Sequence, residues 1–175
     1  MGTLMLYTGV IGLVVAQRLV ELQVSRRHER QLRSRGAVEH GAGHWPWMVA
    51  LHTAFLVSCV AEPWLLERPV APWLSVAAAA AVALGLGLRV WSLASLGERW
   101  TARVLVLPGA PLVATGPYRF LRHPNYLAVV LEIAAIPLVH GAWLTAAVFT
   151  VLNAAMLTVR IRTEEAALAR AVKAR

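Results

Sequence analysis

The sequence predicts an all-α integral membrane protein with about five transmembrane helices, on three observations. Hydrophobic residues fill 58% of its 175 positions and charged ones only 15%, with a mean hydropathy of +0.60. A soluble domain of this length needs far less apolar material for its core. The apolar residues also fall into runs close to the ~20 that a helix needs to cross the hydrocarbon. Finally, the formal charge of +8 is gathered in clusters between those runs, as topology signals are. With no recognition-helix or finger pattern beside it, that charge argues against a nucleic-acid partner.

The first run, Leu4 to Leu22, has no basic leader and no small-residue cleavage site, so a retained span is expected and not a signal peptide. The second and third run from Trp45 to Leu65 and from Pro72 to Leu93. "AAAAAVALGLGL" in the third supplies small residues for close helix approach, which puts Gly85 on a packing surface, with Gly87 available for helix pairing. Its Gly-x-Gly lacks the preceding strand and downstream acid of a nucleotide fingerprint. The fourth run, Tyr126 to Val139, is short. Only "VHGA" separates it from the fifth, Trp143 to Val159, so a tight helical hairpin is expected, followed by a C-terminal helix. The chain reads as one membrane domain, with three spans in residues 1–96 and a polar loop, hairpin and C-terminal helix in 97–175.

Arg26, Arg27, Arg30, Arg33 and Arg35 follow the first span, and Arg99, Arg103, Arg119 and Arg122 follow the third. Arg160, Arg162, Arg170, Lys173 and Arg175 follow the fifth, whereas the loop after the second holds only Arg68. The positive-inside rule then gives an outside N-terminus and a cytoplasmic C-terminus, in the inner membrane if the source is bacterial. Trp45, Trp47, Trp64, Trp73, Trp100 and Trp143 lie near span ends, where indoles anchor in the headgroup layer.

Aspartate is absent and Cys59 is the one cysteine. That removes disulfide scaffolds, cysteine-rich zinc sites, aspartyl dyads and Walker-type magnesium sites, so no metal is expected. The chemistry gathers between Gly97 and Asn125, where Pro108, Pro111, Pro117 and Pro124 prevent one continuous helix. His123 precedes Pro124, which biases its backbone to extended and holds its ring at the mouth of the fourth span. Inside that span stands Glu132, where an unpaired carboxylate costs about 2.5–3.5 kcal/mol even on the lenient scale. It must face a buried arginine such as Arg89 or Arg160, or a ligand. Near the end, Arg160 with Glu164 and Arg162 with Glu165 have the spacing of helix-surface ion pairs. The same glutamates leave the membrane on the side of "RFLRHPNY" and would suit a cationic, hydroxyl-bearing cofactor.

"GPYRFLRHPNY", followed after a hydrophobic hairpin by "RIRTEEAAL", resembles the signature of the isoprenylcysteine carboxyl methyltransferase family, more distantly the membrane phospholipid N-methyltransferases. The N-terminal "RLVELQVSRRHERQLRSRGAVEHGAGHWPWMVALH" resembles a bacterial branch associated with long-chain polyketide phenols and pyrones. The resemblance implies S-adenosyl-L-methionine as cofactor, held by Tyr118, Arg122, His123, Pro124, Asn125, Tyr126, Glu164 and Glu165. It implies catalytic roles for Arg160 and His123, with Arg160 orienting an anionic acceptor and Arg162 beside it. An ionised carboxylate acceptor needs only such a guanidinium. A phenol must lose a proton, and His123, Glu132 and Glu164 are the candidate bases. The implied partners are a lipophilic or lipidated acceptor and membrane lipids. Ala128 stands where many relatives have glycine. A non-catalytic scaffold binding anionic lipid would also explain spans and basic loops, but not both motifs. A transporter would need an inverted repeat that the halves lack.

Overall fold

The structure, a computed structural model, describes residues 1–66 and 68–173, without the side chains of 172 and 173. Five α-helices carry the fold: α1 (Gly2–Ser34), α2 (Trp45–Leu65), α3 (Pro72–Leu96), α4 (Pro124–Ala135) and α5 (Trp143–Lys173). Four are long and apolar enough to cross a membrane, and the exception is α4. The protein is an integral membrane protein, and its outer surface matches: Leu13, Val57, Val76, Leu84 and Val151 are all largely exposed. α4 is short because Pro137 has no N–H to continue the ladder, and the chain tightens into a 3-10 turn over Pro137–His140. Gly141 then reverses direction in the left-handed region, φ 74°, and starts α5, which makes α4 and α5 the expected hairpin.

Two helices outrun their expected spans. With no glycine or proline between Gly12 and Gly36, α1 continues past Leu22 and carries most of the basic cluster on a helix, not in a loop. Its 33 residues reach about 50 Å, well beyond the ~30 Å hydrocarbon. Likewise α5 is one unbroken helix, and the expected C-terminal helix is its continuation. Arg175 and the Lys173 side chain lie outside the described residues.

Two three-residue strands were not anticipated: β1 (Val38–His40) and β2 (Val104–Val106) pair antiparallel, with Val38 opposite Val106 and His40 opposite Val104. Strands this short carry too few alternations to announce themselves. Val104 and Val106 bury their side chains against Ala167 of α5, so the ladder ties the α1–α2 link and the α3–α4 link to the same helix.

The main apolar core joins Tyr7 and Ile11 of α1, Phe55 and Cys59 of α2, Ile133 of α4 and Phe149 of α5. Helix α4 is held by more than apolar contact. At Gly85 of α3 a Cβ would lie 3.3 Å from Ala128 O, Glu132 Cγ and Leu131 Cβ, so the small residue lets the backbones close. Beside it, Glu132 accepts hydrogen bonds from Arg89 Nε (2.9 Å), Arg89 Nη2 (2.7 Å) and Arg18 Nη2 (2.7 Å). Arg18 also donates to Glu21 at 2.7 Å, and Arg89 lies 3.5 Å from that carboxylate. Two guanidiniums and two carboxylates from α1, α3 and α4 thus neutralise one another. At the far end, the buried Glu62 of α2 accepts the backbone N–H groups of Leu144 (3.2 Å) and Thr145 (2.6 Å), satisfying donors that the first turn of α5 leaves free.

Of the expected tryptophan anchors, Trp47, Trp64, Trp73 and Trp143 are exposed. Trp100 corrects the pattern: it is 7% exposed and faces the protein interior, packed in the segment that leads into β2.

Candidate functional site

At the end where α1, α3 and α5 finish and α2 and α4 begin, a cavity of about 740 Å³ opens. Its walls are the segment from Trp100 through β2, the loop from Leu107 to Ala114, the "YRFLRHPNY" stretch and the last turns of α5. The turn at Gly116 sets the third wall against α3. Its φ is +56° and an added Cβ would meet Ser95 Oγ at 2.0 Å, so only glycine lets the 3-10 turn Gly116–Arg119 seat there.

Inside the cavity the two distant motifs meet. His123 Nε2 lies 3.2 Å from Glu165 Oε1, and since a carboxylate only accepts, the bond needs its proton on Nε2. The Tyr126 hydroxyl donates to Glu164 and accepts from Arg160 Nε at 2.9 Å. The His123 and Tyr126 rings stack, with centroids 5.3 Å apart. Arg160 is 7% exposed, and it also donates to Ala102 O at 2.6 Å and to Met48 Sδ at 3.2 Å. Phenol, carbonyl and thioether are neutral, so among the described residues no carboxylate bonds this buried cation directly; Glu164 faces it across the shared Tyr126 hydroxyl. Burial and the charge of Glu164 push the Tyr118 phenol above its ordinary pKa, against a bond with Ser92 that lowers it. Tyr118 therefore stays protonated.

From the first motif the structure brings Tyr118, Arg122, His123, Asn125 and Tyr126 to the cavity wall, and from the second Arg160, Glu164 and Glu165. Pro124 is buried in the first turn of α4 and does not line the cavity; its ring shapes the backbone beneath its neighbours. Arg162 is exposed on the opposite face of α5. No Arg160 to Glu164 ion pair forms among the described residues, because both side chains turn to Tyr126. Glu132 takes the ion-pair role and not the ligand-facing one: its oxygens hold Arg89 and Arg18, and it is absent from the cavity wall. Met48 and Ala102 were not foreseen. Ala102 acts through its carbonyl, which no sequence pattern reports, and Met48 reads as one more apolar residue of α2.

Asn125 Oδ1 is buried without a hydrogen-bond partner on the wall of this cavity. An orphaned acceptor costs on the order of 1–3 kcal/mol, and a ligand donor would relieve it. A second, almost wholly apolar groove of about 540 Å³ opens between α2 and α5, lined by Trp47, Ala50, Ala54, Phe149, Met156 and Val159. Trp47 and Val159, which line it, are the chain neighbours of Met48 and Arg160. The ten helical steps from Phe149 to Val159 give it a length of about 15 Å.

The isoprenylcysteine carboxyl methyltransferase family model matches residues 77–170, which hold most of α3, all of α4, the cavity stretch and most of α5. Among curated proteins, the Bacillus subtilis (strain 168) uncharacterized protein YpbQ is 41% identical over 161 residues, spanning 91% of this chain and 94% of its own. An uncharacterized protein of Haemophilus influenzae is 27% identical over 163 residues, spanning 89% and 90%. With its helical bundle, its paired motifs and this match over more than half its length, the chain belongs to the isoprenylcysteine carboxyl methyltransferase family, a family of membrane methyltransferases.

Proposed function

We propose that the protein is an S-adenosyl-L-methionine-dependent O-methyltransferase acting on an amphipathic lipid at the cytoplasmic face of the membrane. The observation that carries this is the meeting of His123 and Tyr126 with Glu165 and Glu164 in one cavity. The cavity's volume falls within the ~300–1,000 Å³ usual for small-molecule sites, and the orphaned Asn125 acceptor fits a ligand with N–H or O–H donors. Bound there, S-adenosylmethionine supplies an electrophilic methyl group on a sulfonium. Glu164 and Glu165 offer acceptors to the ribose hydroxyls or the amine, with His123 and Tyr126 packed beside them. Arg160, which no carboxylate bonds directly among the described residues, orients an anionic oxygen of the acceptor. For a carboxylate acceptor that is sufficient, since the rest of the work is alignment and exclusion of water. A phenol would pass its proton to His123 or Glu164.

The groove between α2 and α5 suits the acceptor's hydrocarbon, entering sideways from the bilayer with its head under Arg160. The positive-inside rule, applied to the arginine clusters at the cavity end, supports a cytoplasmic side for that end and an outside N-terminus. Titration of the detergent-purified protein with S-adenosylmethionine tests the reading. Saturable binding that is weakened by Glu165→Gln and His123→Ala, but not by Arg160→Ala, is expected; no saturable heat refutes it.

A further inference from the structure

We infer that Ser25 of α1 is a positioning residue for Arg160, an inference that rests on the methyltransferase reading above. Ser25 is 1% exposed, on the part of α1 that continues past the expected span. Its Oγ accepts the N–H of Ala102 at 2.9 Å and donates to Glu29 Oε1 at 2.6 Å. The carbonyl of the same Ala102 accepts from Arg160 Nη2 at 2.6 Å. One turn along α1, His28 Nδ1 donates to Trp100 O at 2.8 Å. Arg103 lies 3.8 Å from Glu29 and 2.5 Å from Glu39. Ser25, His28 and Glu29, spaced i, i+3 and i+4 on one helix face, therefore grip Ala102, Trp100 and Arg103 respectively.

The grip matters because residues 101–103 belong to no helix or strand. Without Ser25 the Ala102 N–H has no partner among the described residues, and its peptide plane is free to turn. Arg160 depends on that plane. Among the described residues no carboxylate bonds it directly, so its geometry is set by the Tyr126 hydroxyl, the Ala102 carbonyl and the Met48 sulfur. A buried cation that is aimed but has no direct carboxylate partner is suited to an incoming anion. The α1 residues that aim it lie outside the 77–170 stretch matched by the family model, so this chain's N-terminal half completes the site.

The test uses the full-length protein in detergent, as wild type, Ser25→Ala, Ser25→Thr and Glu29→Gln. Three quantities are measured: affinity for S-adenosylmethionine, transfer of its tritiated methyl into a lipid extract of the expressing cells, and the rate at which phenylglyoxal labels Arg160. Ser25→Ala is expected to bind cofactor within about twofold of wild type and to transfer about tenfold more slowly, which converts to ~1.4 kcal/mol and lies within the range for one buried hydrogen bond. Its Arg160 is labelled severalfold faster. Ser25→Thr keeps the hydroxyl and matches wild type. Glu29→Gln, which weakens the acceptor of that hydroxyl, follows Ser25→Ala at smaller amplitude and stands in for it should the alanine variant not fold. Parallel loss of cofactor affinity and transfer would mark a general collapse and overturn the proposal, as would unchanged labelling or a threonine variant that fails to rescue. Labelling needs neither cofactor nor acceptor, so a wild type that binds no S-adenosylmethionine sinks the methyltransferase reading while the labelling still decides whether Ser25 holds Arg160.

Discussion

Glu132→Gln separates a structural carboxylate from a catalytic one. The wild-type side chain accepts three hydrogen bonds of 2.7–2.9 Å from Arg89 and Arg18, and both partners of its closest bond to Arg89 are under 10% exposed. The amide removes a charge and turns a donor towards two donors, leaving Glu21 as the only carboxylate of the cluster for two guanidiniums. Breaking a buried ion pair costs about 3–5 kcal/mol. Interhelical polar bonds in a membrane average only about 0.6 kcal/mol, so three of them set a floor near 2 kcal/mol. At roughly 2–4 °C per kcal/mol for a chain of this size, the melting temperature should fall by about 5–15 °C. Intrinsic tryptophan fluorescence in detergent micelles measures the transition, and titration with S-adenosylmethionine well below it should find cofactor affinity preserved. Removing both charges with Glu132→Leu and Arg89→Leu should recover part of the loss. An unchanged melting temperature with abolished methyl transfer would refute the argument and return Glu132 to the reacting centre.

Three further outcomes follow from the geometry. Gly116→Ala places a Cβ 3.0 Å from Ser95 Cβ and Trp91 Nε1 at φ +56°; a loss of about 1–2 kcal/mol in thermal stability, with weakened cofactor binding, is expected. Ala54→Trp fills the α2–α5 groove, so methyl transfer to lipid should drop at least tenfold while calorimetric cofactor affinity stays level. Partial burial alone would raise the pKa of Glu39, but hydrogen bonds from Arg103 and Arg33 outweigh it and hold the carboxyl below its usual range. A depressed carboxylate contributes stability above its unfolded value, about 4.3, and loses it as pH falls through the folded one. The stability gap between wild type and Glu39→Gln should therefore be constant from neutral pH to about 5 and close in stronger acid, as followed by chemical denaturation.

The helices were legible because crossing a bilayer demands a length and a polarity that single residues cannot disguise. Even the shortness of α4 could be read from Pro137 and the "VHGA" turn. What escaped was of two kinds. Length beyond the hydrocarbon leaves no hydropathy signal, so the continuation of α1 to Ser34 and of α5 to Lys173 depends on uninterrupted helix-formers. Contacts made by backbone atoms leave no residue pattern at all, which hid the role of Ala102 and the grip of Ser25 on it. The motifs "RHPNY" and "RTEE" were visible because their chemistry is carried by side chains. Glu132 could be narrowed to two roles by cost alone, and only the position of Arg18 and Arg89 decided between them.

The placement of these charges follows one physical constraint. On the proposed function, a site for a polar cofactor and a lipid must bring charged side chains to the edge of the hydrocarbon without leaving any unneutralised inside it. The deep cluster of Arg18, Glu21, Arg89 and Glu132 obeys this by cancelling completely. Near the polar end the rule is relaxed at one residue: among the described residues Arg160 is buried with only neutral groups bonded to it, while Glu164 reaches the same Tyr126 hydroxyl from the next turn and Glu165 reaches His123. The guanidinium that the fold leaves without a direct carboxylate partner thus stands on the cavity wall, one residue along α5 from the lining of the apolar groove, and on the proposed function an anionic headgroup with its tail in the bilayer would pair with it.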